Sequence, residues 1–173
     1  MIEIMDKSSK LIKALLKSIA NSFDVYEDYA YCGERFEGYA EFHELGSKYV
    51  LSKKAKLWSV EADEYMFLKA IDELDVDALQ RLVDFMKTCG FEKVNPRPDH
   101  MSTAITLVCV CNSVSPEASN IAKHIKHRKN YRFSIWGWAD LRLVVVDLSK
   151  NEVTTNAFAK HLLPVVKQNF TIL

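Results

Sequence analysis

The stretch from His100 to Pro116 limits the possible folds more than any other, because it is the longest run without a charge. Ser102, Thr103, Thr106, Asn112 and Ser113 punctuate it, and its apolar heart is Ala104 to Cys111. A membrane span needs about 20 consecutive apolar residues, so this run is too short and too polar to cross a bilayer. A strand-sized apolar block bounded by polar residues reads instead as a strand buried inside a sheet. Whatever surrounds it must supply the cover.

The chain is 173 residues, enough for one domain over residues 1–173 with a core that needs no metal or disulfide. Hydrophobic residues make up 49% and charged residues 27%, as in an ordinary globular protein. Lys plus Arg and Asp plus Glu are both 23, which argues against a protein that is one large nucleic-acid-binding surface but leaves room for a local basic patch.

The periodicities fill in the rest. Leu11, Ile12, Leu15, Leu16 and Ile19 predict an amphipathic helix over Asp6 to Ser22. From Val25 to Ala70, aromatic and β-branched residues alternate with charges, and turn signals fall at Cys32-Gly33-Glu34 and Leu45-Gly46-Ser47. That predicts an antiparallel meander of three or four strands, the last near Glu64 to Ala70, with one wet face and one packed face. A helix is expected over Asp75 to Cys89, capped by Asp75 or Asp77, with Gly90 as a left-handed cap. The Pro-rich Asn95 to His100 could divide the chain into two halves at 91–100. Ser115-Pro116 opens a further helix burying Ala118, Ile121, Ala122 and Ile125. Tyr131 to Leu148 reads as one long bent strand, or two meeting near Gly137. A last helix begins near Thr155 or Asn156, and Pro164 kinks or restarts it. The expected class is α+β (mixed α/β): the meander, then a C-terminal β-α-β-β-α segment, with helices covering one central sheet.

Glu3 and Asp6 precede the first apolar segment and no cleavage site follows, which argues against a secretory signal. Lys10, Lys13 and Lys17 lie opposite the apolar stripe and read as a solvated helix face rather than a lipid contact. None of Cys32, Cys89, Cys109 and Cys111 forms a CxxC, so all four are expected as thiols, in a cytosolic protein.

Three segments could carry function. In a strand, Trp136, Trp138, Asp140 and Arg142 share one side, unless a bulge at Gly137 swaps the Trp136 end, and two indoles with a carboxylate and a guanidinium could orient a small planar or anionic ligand. The structural alternative is an Asp140–Arg142 ion pair with the indoles packed under a helix. Asp99, His100 and Ser102 place triad-type residues on a loop, although no GxSxG elbow exists. Capping by Asp99 and a hydrogen bond from His100 explain them as well. Lys123, Lys126, Arg128, Lys129 and Arg132, with Tyr131, suit a phosphate backbone, or simply a solvated helix end. His124 and His127 lie three apart on the same predicted helix without a third ligand, so no metal site is expected. Lys53-Lys54-Ala55-Lys56 reads as protection of a strand edge. Glu41, Glu44, Glu61, Asp63 and Glu64 follow no ligand spacing and read as surface charge.

Tyr49 to Lys56, His100-Met101-Ser102-Thr103 and Gly137 to Leu143 together resemble a family of bacterial and archaeal proteins to which no activity is attached. The resemblance covers most of the chain and implies no catalytic residue. The element order also invites comparison with PD-(D/E)xK nucleases, but Lys-Lys-Ala-Lys stands where their metal-binding acid is wanted.

The expected function is therefore a small cytosolic binding or interaction module, with a polar-aromatic surface from the His100 loop and the Trp138–Asp140–Arg142 strand. Asp99 and Ser102 would add contacts, and neither a cofactor nor a membrane is implied. A hydrolytic or nucleic-acid-processing enzyme would use Asp99, His100 and Asp140, supported by Lys54, Lys56 and Arg142. Nucleic-acid binding through 123–132 is the third reading. Zero net charge is compatible with a homodimer.

Overall fold

The computed structural model describes residues 2–43, 63–98 and 100–170, with side chains from residue 7 onward. The expected turn at Leu45-Gly46-Ser47, the Lys53 to Lys56 cluster with Tyr49 and Val50, the carboxylates of Glu44 and Glu61, and Asp99 lie outside the described residues.

An N-terminal helix α1 (Ile2–Ile19) is followed by β1 (Asp24–Tyr31), β2 (Glu34–His43) and β3 (Asp63–Leu74). Then come α2 (Val76–Thr88), a 3-10 turn (Gly90–Lys93), β4 (Ser102–Val114), α3 (Pro116–His124) and β5 (Arg128–Asn130). The chain ends with β6 (Trp138–Asp147), β7 (Glu152–Thr155), a second 3-10 segment (Ala157–Leu162) and α4 (Leu163–Phe170). The class is mixed α+β, with one seven-stranded sheet ordered β1-β2-β3-β4-β6-β5, and β7 also pairing with β6. The β1-β2-β3 part is antiparallel, as a meander requires, whereas β3, β4 and β6 run parallel.

The apolar run after His100 explains this layout. β4 is flanked on both edges and buried on both faces, so it needs cover above and below. Two crossovers that step the same way across the sheet, β3-α2-β4 and β4-α3-β6, put both helices on one side. There Leu79, Leu82, Val83, Met86, Ala118 and Ala122 pack on Ile105, Leu107, Cys109 and Leu141. On the other side α1 and the C-terminal helical segment cover Met66, Leu68, Val108, Val110, Val144 and Val146. The sheet joins the two halves on either side of 91–100, because β3 and β4 are neighbours within it.

Local capping follows the sequence. The Asp75 carboxylate accepts from Ala78 N at 2.7 Å, and Ser115 Oγ accepts from Ala118 N at 3.2 Å. Asn156 opens the second 3-10 segment, and α4 restarts one residue before Pro164. Other expectations change. Gly90 is not left-handed: the chain continues into the 3-10 turn, and a Cβ there would lie 2.9 Å from the mobile end of Met86. Ile121 is exposed rather than buried. β3 has no wet face at its start, because it lies inside the sheet, and Asp63 and Glu64 are buried rather than surface charges. Tyr131 to Gly137 is a tight turn rather than a strand, and β6 begins only at Trp138.

Candidate functional site

Side-chain alternation along β6 sends Ala139, Leu141, Leu143 and Val145 into the core beside α2 and α3. Trp138, Asp140 and Arg142 take the opposite side, with Val144 and Val146 beneath α1 and the C-terminal segment. The three residues do share a side, but it faces inward: Asp140 and Arg142 are buried and Trp138 is half-buried.

Each charge there has its own partner, and Asp140 and Arg142 do not bridge each other in the expected pair. Arg142, 3% exposed, places Nη1 3.3 Å from Oε1 of Glu64, two strands away on β3. Between them on β4, the Thr106 hydroxyl donates to the same Oε1 at 3.1 Å. Asp140 is held bidentately by Arg128, with Nε–Oδ1 and Nη2–Oδ2 both 2.6 Å. The Arg128 guanidinium in turn lies 5.3 Å from the Trp138 ring and 5.2 Å from the Phe158 ring. His161, on the second 3-10 segment, is pushed down to about 4, first by burial and then by the Arg142 charge. Its Nε2 and the Trp138 Nε1 are sealed without a hydrogen-bond partner among the described residues. The Arg128–Asp140 and Arg142–Glu64 pairs thus leave each of these buried charges compensated by an opposite one.

His100 points elsewhere. Its Nδ1 donates to the Trp136 carbonyl at 2.6 Å, and its Nε2 meets Thr103 Oγ1 at 2.8 Å. Thr103 shares the side of Ile105 and Leu107, and the His100 ring meets Tyr131 edge-on at 6.2 Å. His100 and the Asp140–Arg142 pair therefore lie on opposite sides of the sheet. Ser102, buried at the start of β4, is in register with Trp138 and makes no pair with His100. His124 bonds back to the Asn120 carbonyl at 2.8 Å. His127 lies past the end of α3, its ring against Phe91 at 4.9 Å, so the two histidines do not share one helix.

The exposed chemistry collects on the turn that His100 holds. Arg132, Phe133 and Ser134 have φ of 46°, 53° and 67°, one left-handed turn built from residues that disfavour it. Backbone bonds pin it: Tyr131 N to Gly137 O at 3.0 Å, Trp136 N to Tyr131 O at 3.1 Å, and Gly137 N to Ser134 O at 3.2 Å. At its base Trp138 N donates to Met101 O at 3.2 Å. Gly137, at φ 75°, is required there, because a Cβ would sit 2.1 Å from Met101 O. The turn carries Phe133 at 99% and Ile135 at 73% exposure, beside Met101 at 66%. The Arg132 guanidinium stacks 3.9 Å from the Trp136 ring, and exposed Lys129 lies 5.4 Å from the Tyr131 ring. Lys123 and Lys126 are exposed too, whereas Arg128 is committed to Asp140.

Met101, Phe133 and Ile135 escaped the sequence reading. Tyr131, Phe133 and Ile135 at alternate positions imitate a strand, and nothing in the sequence marks Arg132 to Ser134 as left-handed.

The chain belongs to the family described as Domain of unknown function (DUF8052), whose model matches residues 7–168. No curated protein and no solved structure matches it.

Proposed function

We propose that this member of the family is an interaction module that docks a protein partner through the Arg132–Trp136 turn and Met101, with His100 as the latch that shapes the turn. The carrying observation is Phe133, almost wholly exposed on a turn whose strained backbone is held by its own hydrogen bonds. Large apolar side chains cluster on a surface where something covers them. Left-handed conformations at non-glycine residues cost about 1–2 kcal/mol each and persist where the geometry is used.

The partner is a protein with an apolar pocket rimmed by carboxylates. Arg132 and Lys129 flank the apolar tip, so an acidic rim complements it. A second copy meeting the same turn across a two-fold axis would set these cations against each other. A rigid, pre-shaped tip favours a pocket over a lipid surface, which needs no fixed shape. We place this activity in the reducing cytosol, consistent with four free cysteines. His100, Asp140 and Arg142 are buried, so the docking surface is the turn that His100 holds and not the strand face.

A photoreactive phenylalanine analogue at position 133 tests the proposal in cells. The expected result is cross-linking to one protein, reproduced with purified components and weakened by salt. Absence of any specific cross-link, or binding only to phosphatidylserine vesicles or to single-stranded oligonucleotide, overturns it.

A further inference from the structure

Cys32 is distant in sequence from Cys89 and Glu92, yet a thiol of each cysteine and a carboxylate oxygen of Glu92 all lie within 4.8 Å of one another. We propose that these three side chains bind one zinc-class divalent cation, which clips the β1–β2 hairpin to the end of α2.

Two rigid elements deliver the ligands. Cys32 and Gly33 form the two-residue loop between β1 and β2, at φ 48° and 79°. Such a loop favours Asn-Gly or Asp-Gly, so a cysteine in its first position is a costly choice for a turn alone. Cys89 ends α2, and Glu92 follows on the 3-10 turn, its N–H donating to the Cys89 carbonyl at 3.1 Å. Zinc holds sulfur at about 2.3 Å and carboxylate oxygen at about 2.0–2.2 Å, so the edges of its tetrahedron are about 3.3–3.8 Å. The three ligand atoms need to draw together by about an ångström, within the rotamer freedom of partly exposed side chains.

The donor set selects the metal. Two thiolates exclude magnesium and calcium, and a carboxylate is a poor match for copper(I). Water completes the fourth position. On binding, both thiols release their protons to solvent, and the cation meets two thiolates and one carboxylate. The Cys32 thiol is raised first by its hydrogen bond with Cys89 and by slight burial, then by the Cys89 and Glu92 charges. The nearby cation, Lys93, sits over the Tyr31 ring at 4.5 Å.

The test is zinc titration of the reduced full chain, with cobalt(II) as a spectroscopic probe of tetrahedral thiolate ligation. One equivalent should bind, raise the melting temperature and give a thiolate-to-cobalt charge-transfer band. Cys89→Ser should abolish the band, Glu92→Gln should weaken affinity about tenfold, by analogy with the loss of a supporting ligand contact, and Cys32→Asn should lose the metal while keeping the turn. Folded protein that takes up no stoichiometric zinc overturns the proposal. So does uptake unchanged in Cys32→Asn, or a pair that only oxidises to a disulfide and binds no metal when reduced. None of these outcomes bears on the docking turn.

Discussion

At the scale of single residues, the charges inside the sheet stay buried because each has a dedicated partner. Removing one member of the Glu64–Arg142 pair leaves the other buried and uncompensated, a loss of about 3–5 kcal/mol. Arg142→Met and Glu64→Leu should each lower the unfolding free energy measured in urea by that margin, and the double variant should recover most of it. Equal, additive losses would show that the pair is not coupled. His161 sets a pH window. Its ordinary value of 6.5 falls to about 4 in the fold, so the unfolded chain takes up the proton first as pH drops. The stability it contributes is complete above 6.5 and declines through 6.5 to 4. Discounted for partial exposure, that loss is about 1–2 kcal/mol. Urea midpoints at pH 7 and 4.5 should therefore differ more in the parent than in His161→Gln, and equal differences would refute the assignment.

At the scale of elements, a turn needs a conformation more than a composition. Gly137→Ala forces a Cβ against Met101 O, so it should destabilise by about 1–3 kcal/mol and loosen the turn. Amide hydrogen exchange at Trp136 and Trp138 should rise, and unchanged protection would contradict the account. The contrast with the helices explains what could be read in advance. Ser115-Pro116 and Asp75 announce their caps because the capping bond spans three residues of one segment. The strand character of 102–114 was legible from its unbroken apolar heart. Glu64 was not legible as the partner of Arg142, because that contact reaches across β4 and depends on a parallel register that no local pattern encodes. Tyr131 to Gly137 misled for the opposite reason: its local pattern is a good strand, and long-range bonds to Met101 and His100 override it.

At the scale of the whole molecule, the β1 edge of the sheet is poorly suited to self-association. β1 is an edge strand, but Asp28 at φ 58° breaks its ladder and pairs with Arg35, while Asp24 and Glu27 add charge. Sedimentation at micromolar concentration should give one monomeric species, and a concentration-dependent dimer would contradict this. Among the described residues, the most exposed large apolar side chains are Phe133, Ile135 and Met101. The most direct measurement is the affinity of the purified, cross-link-identified partner for the parent and for Phe133→Asp, with urea midpoints taken on both. Truncating a central apolar anchor at an interface costs 2 kcal/mol or more, about a thirtyfold loss. The account predicts at least that loss at matched urea midpoints, whereas equal affinity in the two proteins would contradict it.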